Sequence, residues 1–258
     1  MRGRGGTPDH LTGRRQVAAR PSRDVPPRHL PPRPQAATEG INEDPAAQAL
    51  AVIAAEAAAC TACPLFRTRR NNVPGEGSAH ATLMFVGEGP GAEEDRLGRP
   101  FVGVAGELLT RIIGAMNLRR EEVFIANAVK CRPPQNRTPT PAETLACRAF
   151  LIRQIRAIRP KVICALGRPA ANTLLQDTAP ISAIRGRFFE IAVTADLSLL
   201  KGAPVAANAA VELPAEGEPL RLLVLPTFHP AYLLRNPADK RLVWEDVQKI
   251  VALLQKAQ

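Results

Sequence analysis

Short apolar runs alternate along the chain with longer stretches of helical character. Each run is almost continuously apolar, which is typical of a strand buried on both faces of a sheet. The predicted strands are Thr82–Val86, Val123–Ala126, Lys161–Leu166, Arg187–Val193 and Leu220–Leu225. The predicted helices are Ala47–Ala59, Ala105–Met116, Pro141–Ile158, Arg168–Leu175 and Ala238–Leu254. This alternation predicts an α/β fold in which helices cover both faces of a parallel sheet.

Two segments fall outside this pattern. Residues 1–43 are rich in Arg and Pro and poor in apolar side chains, so we expect a disordered basic tail. The tail could hold DNA loosely through its phosphates, or be an inert extension or a wrongly assigned start. An Arg-rich start could also be an organelle transit peptide, but Asp9, Asp24 and the density of prolines weaken that interpretation. Residues 44–258 are expected to form one domain. Within it, the Gly- and Pro-containing stretch 195–219 is predicted to be a surface loop insertion.

Charge and composition narrow the function classes. The chain has 258 residues and a formal net charge of +10, which favours a polyanionic partner, nucleic acid first, although a basic tail alone could account for the charge. No apolar run approaches the roughly 20 residues that span a bilayer. The five cysteines are an odd number and no secretory signal precedes them, which argues against a disulfide framework. We therefore expect no membrane partner and a cytoplasmic, nucleoid-associated location.

The loop after the first predicted strand has the most informative sequence. It reads GEGPGAEED over Gly87–Asp95 and then GRPFVG over Gly98–Gly103. Glycines allow the backbone to approach a ligand closely, and carboxylates just past the carboxyl end of a strand stand where parallel α/β sheets place their sites. The loop therefore predicts a pocket wall that carries a candidate base.

Two other predicted strands also end in polar side chains. Asn127 follows the second strand, where it could be a turn former or offer a donor and an acceptor to a base edge. His229 follows the last strand, either as a structural histidine or as a site residue opposite the acidic loop. Two apolar residues and a cation follow at Leu233-Leu234-Arg235. This sequence predicts either a core-facing helix turn or a wedge that enters a base stack beside a phosphate contact.

Four of the cysteines are spaced for a metal site. A Cys-x-x-Cys pair, Cys60 and Cys63, precedes the first strand, and Cys131 and Cys147 follow the second. Four thiolates brought together by the fold could bind zinc or a [4Fe–4S] cluster, and spacing alone leaves both open. Cys164 lies inside an apolar strand and is predicted to be a core residue.

Taken together, these motifs resemble those of the family 4 uracil-DNA glycosylases. The resemblance rests on the two glycine-rich motifs, the asparagine after a strand, HPAYLLRN at 229–236 and the four cysteines. The resemblance runs from about Asp44 to the C-terminus, without much of 195–219. It implies a three-layer α/β/α sandwich with a central parallel four-stranded sheet. It also implies a structural [4Fe–4S] cluster on Cys60, Cys63, Cys131 and Cys147.

The resemblance further implies hydrolysis of the bond between uracil and deoxyribose in single- or double-stranded DNA, as a step of base excision repair. Glu88 would position the water, with Glu94 as a secondary catalytic candidate, and His229 would stabilise the departing uracil anion. Uracil would be bound by Gly89, Phe101, Asn127 and His229. Gly89 stands where other glycosylase families keep an Asp. The DNA wedge and phosphate contact would be Leu233, Leu234 and Arg235.

Two other functions stay open on the sequence. One is a non-catalytic iron–sulfur DNA-binding protein that senses lesions, and the other is a hydrolase of free nucleosides or nucleotides. A covalent relative of the family carries a histidine in an extra loop after the second strand. Residues 132–140 contain no histidine, so we predict ordinary turnover. We expect a monomer.

Overall fold

The computed structural model describes residues 44–206 and 218–256. Its strands form one seven-stranded sheet in the order β1-β3-β2-β4-β7-β5-β6. The strands are β1 (Glu76–Gly77), β2 (Leu83–Gly87), β3 (Phe124–Asn127), β4 (Val162–Leu166), β5 (Phe188–Val193), β6 (Leu199–Val205) and β7 (Leu220–Thr227). The predicted tail at 1–43 lies outside the described residues.

Eight α-helices and four short 3₁₀ turns are found in the described part of the chain. The α-helices are α1 (Pro45–Ala59), α2 (Ala92–Leu97), α3 (Val104–Ala115), α4 (Pro141–Ile158), α5 (Arg168–Leu175), α6 (Ile181–Ile184), α7 (Pro230–Arg235) and α8 (Lys240–Lys256). The 3₁₀ turns are Pro64–Arg67, Arg120–Glu122, Pro134–Asn136 and Pro237–Asp239. No helix among the described residues is both long and apolar enough to span a membrane.

The expected α/β sandwich is confirmed, but the sheet is wider than predicted. The parallel strands β3, β2, β4 and β7 form its centre, as expected. Three further strands extend it in antiparallel fashion, with β1 beside β3, β5 beside β7, and β6 beside β5. The four-stranded sheet implied by the resemblance therefore describes the central strands; of the antiparallel strands, the sequence predicted β5 but not β1 or β6.

Residues of the central strands alternate between two apolar layers. Met84 and Val86 pack with α4 and α5 on one face of the sheet. Leu83 and Phe85 pack with α3 and α8 on the other face. Every residue of β2, β3 and β4 is buried, which explains their continuous apolar sequences.

The segment predicted to be a surface loop, 195–219, contains strand β6. That expectation is wrong for Leu199–Val205, which pairs with β5 at the outer edge of the sheet. Most of β6 is exposed, and it contains Gly202 and Pro204, so it lacks the apolar pattern of a core strand. Proline is tolerated there because an edge strand has backbone N–H groups that need no partner. Residues 207–217 lie outside the described part.

The strand register brings the ends of four strands to one rim of the sheet. Gly87 at the end of β2 is level with Asn127 at the end of β3. Leu166 at the end of β4 is level with Thr227 at the end of β7. Because all four strands are parallel, the loops that follow them open on the same edge, where α/β folds place their ligands.

Candidate active site

A cavity of about 460 Å³ opens at this rim of the sheet. It is lined by seven residues that the sequence singled out: Glu88, Gly89, Glu94, Phe101, Asn127, His229 and Arg235. The fold therefore gathers the predicted catalytic and base-binding side chains around one space. That space is large enough to take a nucleobase and part of its sugar.

Asn127 forms a polar wall of the cavity. Its side chain is only 1% exposed, and its Oδ1 has no hydrogen-bond partner among the described residues. A buried acceptor without a donor costs about 1–3 kcal/mol, so such an atom is unusual unless a ligand supplies the missing N–H. The arrangement suits a planar ligand that presents an N–H group to Oδ1.

Gly87 allows Asn127 and Phe101 to approach the same backbone. A Cβ atom on Gly87 would overlap Asn127 Oδ1 and would lie 2.6 Å from Phe101 Cζ. Any side chain larger than hydrogen would therefore displace the amide or the ring. This close approach explains the first glycine of the GEGPG motif.

Phe101 is held in a backbone conformation that phenylalanine rarely adopts. Its φ is 52°, in the left-handed region, and its ring lies 5.6 Å from the His229 ring between centroids, with the planes tilted by 32°. A bulky residue at positive φ costs on the order of 1 kcal/mol and persists only when its surroundings fix it. The ring is thus presented to the cavity at a conformational cost.

The Glu94 carboxylate helps to hold the Phe101 backbone in this conformation. Its Oε1 accepts the backbone N–H groups of Val102 and Gly103, both at 2.9 Å, and its Oε2 accepts that of Gly91 at 3.1 Å. The carboxylate therefore ties the loop after β2 to the loop that carries Phe101. These three hydrogen bonds occupy both oxygens, which favours a positioning role over the secondary catalytic role expected from the sequence.

We expect Glu94→Gln to destabilise the fold by about 1–3 kcal/mol, because one carboxylate oxygen is replaced by an NH₂ group that cannot accept from the backbone. Thermal unfolding would measure the loss. Glu93→Gln is the matched control, since Glu93 is exposed and, among the described residues, pairs only with Arg96 on the same helix. Equal melting temperatures for the two variants would contradict the role assigned to Glu94.

Glu88 differs from Glu94 in having no hydrogen bond or ion pair from its side chain to another described residue. It follows β2 directly and is half-buried at the cavity wall. Its main-chain carbonyl is fixed by the N–H of Val129 at 3.2 Å. A carboxylate with a fixed backbone and unoccupied oxygens can accept a proton from water in the cavity.

His229 caps the N-terminus of α7 with its ring. Nδ1 accepts the backbone N–H of Ala231 at 3.1 Å, so the proton of the neutral ring lies on Nε2. Burial lowers the pKa of His229 to about 4; the Glu94 carboxylate opposes this shift and Arg235 adds to it. At neutral pH the ring is thus an uncharged donor with a fixed tautomer.

Of the three residues expected to form the wedge and phosphate contact, Leu233, Leu234 and Arg235, two are exposed. Leu233 is 1% exposed and packs in the apolar layer with α3 and α8, so its assignment to the wedge is wrong. The segment is a helix turn with one core-facing residue, the alternative that the sequence left open. Leu234 is 39% exposed, and Arg235 is exposed and lines the cavity.

Sequence reasoning missed the loop that covers one side of the cavity. Pro133, Asn136, Arg137 and Pro139 line it from the segment between β3 and α4. Arg137 donates two hydrogen bonds, at 2.8 and 2.7 Å, to Glu143, and this guanidinium holds the pKa of Glu143 down at about 2. The cluster of prolines after Cys131 was the available signal for a rigid loop.

The four cysteines line a second, smaller cavity. Three of the sulfurs receive N–H groups. The Arg69 guanidinium donates to Cys131 at 3.0 Å, Lys130 N to Cys147 at 3.2 Å and Ala62 N to Cys60 at 3.5 Å. Such donors suit thiolates, which carry the negative charge that a metal or cluster requires.

Two of the four thiols are less acidic than an ordinary cysteine. Burial raises the pKa of Cys147 to about 11 and also raises that of Cys131. Within residues 44–206 and 218–256, no group of three or more Cys, His, Asp or Glu side chains is close enough to hold a single metal ion. Cys164 is buried within β4, as predicted.

Comparison with known proteins gives a consistent set of relatives. The family model described as "Uracil DNA glycosylase superfamily" matches residues 74–248. A type-4 uracil-DNA glycosylase of Thermotoga maritima is 44% identical over 199 residues, covering 76% of this chain and 90% of that protein. One of Saccharolobus solfataricus is 41% identical over 206 residues, covering 78% and 84%. A type-5 enzyme of Pyrobaculum aerophilum is 34% identical over 119 residues, covering 40% and 52%.

Proposed function

Since this chain belongs to the type-4 uracil-DNA glycosylases of the uracil DNA glycosylase superfamily, we propose that it flips uracil out of DNA and hydrolyses its N-glycosidic bond. The product is an abasic site, the first intermediate of base excision repair. The single observation that carries the proposal is the buried, unpartnered Oδ1 of Asn127 at the wall of a base-sized cavity.

Uracil fits this amide and cytosine does not. The N3–H of uracil donates to Asn127 Oδ1, and the amide NH₂ donates to uracil O4. Cytosine has an acceptor at N3 and a donor at C4, so it would leave buried groups unpaired on both molecules. The Phe101 ring stacks on the flipped base. Flipping costs a few kcal/mol and is easiest from single strands or mismatches.

The other residues that line the cavity assist cleavage of the N-glycosidic bond. As the C1′–N1 bond breaks, its electron pair goes to the base, and His229 Nε2–H donates to uracil O2, where negative charge gathers. Glu88 holds the water that adds to C1′ and takes its proton, and its carboxylate charge stabilises the cationic sugar. Glu94 fixes the Phe101 loop. Because position 89 is a glycine, where other glycosylase families keep an Asp, Glu88 is the carboxylate directly after β2 that is free to activate water.

One assay tests the activity. The protein is incubated with a uracil-containing oligonucleotide, which is then treated with alkali to cleave any abasic site. Strand scission at the uracil position is expected. Binding without scission would instead support a non-catalytic lesion sensor, and release of uracil from deoxyuridine alone would support a nucleoside hydrolase.

Cys60, Cys63, Cys131 and Cys147 are the proposed ligands of a [4Fe–4S] cluster. All four cysteines line one small cavity, and in such a cluster each thiolate would bond a different iron. The cluster supplies structural cross-linking and takes no part in glycosidic cleavage. Its ligands would join the end of α1 to the segment after β3 and to α4.

We expect protein purified without oxygen to be brown and to contain about four iron atoms per chain. Cys147→Ser should lose most of the iron and the visible absorbance. Cys164→Ala is the matched control, because Cys164 is also buried but lies in β4 and does not line the cysteine cavity. Equal iron content in these two variants, or a colourless zinc protein, would refute the assignment.

The DNA itself would meet the rim of the cavity. Leu234 is the remaining wedge candidate and Arg235 the candidate phosphate contact. We further propose that the enzyme works as a monomer in the cytoplasm at the nucleoid, with residues 1–43 as a basic tail.

A further inference from the structure

Lys130 is a buried cation for which the reaction above has no use. It is 1% exposed, and each of its polar groups is hydrogen-bonded. Nζ donates to the main-chain oxygen of Asn127 at 2.9 Å and to Gln154 Oε1 at 2.7 Å. The carbonyl of Lys130 accepts from Val73 N at 2.9 Å, and its N–H donates to Cys147 at 3.2 Å.

These bonds connect the base-binding amide to the cysteine cavity. Asn127 lies three residues before Lys130, and Cys131 follows directly. Gln154 and Cys147 both lie on α4, and Gln154 Nε2 donates in turn to the carbonyl of Pro74 at 2.7 Å. Lys130 is therefore the point at which β3, α4 and the segment before β1 meet.

Burying an ammonium group is costly, and an apolar side chain could fill this space without that cost. What an apolar side chain could not do is bond the carbonyl of Asn127. That carbonyl belongs to the residue whose amide must face the base, so fixing it limits rotation of the Asn127 backbone. Preorganised donors and acceptors are effective only when such supporting contacts hold them.

We propose that Lys130 is a positioning residue for uracil recognition, which fixes Asn127 against α4 and ties its geometry to the cysteine cavity. This inference rests on the proposed function. A purely structural role for Lys130 would affect stability alone. A positioning role would also affect the binding of uracil itself and the choice between uracil and cytosine.

The test compares Lys130→Met with the wild type in three measurements. They are kcat and KM on a uracil-containing oligonucleotide, inhibition by free uracil, and iron content. We expect kcat to fall between about 10- and 100-fold, a similar loss of inhibition by uracil, and a KM and iron content close to those of the wild type.

Lys249→Met is the matched control, because Lys249 also donates to a main-chain carbonyl, that of Gly186, but away from Asn127. It should match the wild type in uracil inhibition. If Lys130→Met fails to fold, Gln154→Leu removes one partner of the ammonium group and should show a smaller loss of the same kind.

Unchanged kcat and uracil inhibition in Lys130→Met would overturn the proposal. So would a loss of activity that only follows the loss of folded, iron-loaded protein. If Gln154→Leu is the variant measured, wild-type uracil inhibition in it would equally overturn the proposal. Absence of excision by the wild type would instead refute the proposed function, so the two failures are distinguishable.

Discussion

Asn127→Ala is expected to lower kcat/KM for uracil excision by on the order of 1000-fold while changing DNA affinity little. The substitution removes the acceptor for uracil N3–H and the donor to O4, and sites built around such pairs discriminate by similar factors. The candidate phosphate contact, Arg235, is unchanged in this variant, so we expect the protein still to bind DNA. Single-turnover excision and fluorescence anisotropy measure the two quantities separately.

Asn172→Ala is a suitable control, since Asn172 is a half-buried asparagine on α5 that does not line the cavity. It should excise uracil at close to the wild-type rate. Asn127→Asp gives a second comparison, because it keeps the acceptor Oδ1 and loses the donor to O4. An Asn127→Ala enzyme with near wild-type activity would show that the orphaned oxygen is not the uracil contact.

His229→Ala is expected to lower kcat by about 100- to 1000-fold, because it removes the donor to the oxygen on which negative charge develops. In the wild type, the change of activity at acid pH should also occur at a lower pH than an ordinary histidine would give. Burial holds the pKa of His229 at about 4, below its ordinary value of 6.5, so the ring remains a neutral donor down to acid pH.

The pH dependence gives this prediction its direction. Protonation of Nδ1 would break its hydrogen bond from Ala231 N–H and release the ring from its fixed position, so activity should change only as the pH approaches 4. The free energy of unfolding should also depend on pH. Between pH 6.5 and 4 the histidine of the unfolded chain binds a proton more readily than His229 in the folded protein, so the fold is destabilised as the pH falls through this range. Titration of the His229 ring by NMR measures the pKa, and a value near 6.5 would contradict the account.

The central strands and the rim residues could be predicted because their sequences report a strong physical constraint. A strand buried on both faces must be apolar along its length, and the polar residue that follows it marks the rim. Glu88 directly follows β2, Asn127 is the last residue of β3, and His229 lies two residues after the end of β7. The four cysteines were visible as a spacing pattern, but spacing alone did not choose between metals.

What could not be predicted depends on contacts between distant segments. Leu233 and Leu234 are neighbours of identical type, and only the packing of α7 on α3 and α8 buries one and exposes the other. The sequence ranked Glu94 as a secondary catalytic candidate behind Glu88, but it could not show that three backbone N–H groups bind the Glu94 carboxylate. Strand β6 was missed because its pairing partner, and not its own sequence, makes it a strand.

The hydrogen bond from Ala231 N–H to His229 Nδ1 links a catalytic proton to the integrity of a helix end. When the first turn of α7 frays, Nδ1 loses its donor, and the two neutral tautomers of the ring become closer in energy. A fraction of molecules would then present a lone pair, and not a proton, to the departing base. Substitutions in α7 can therefore change the turnover rate through the tautomer populations, without touching substrate.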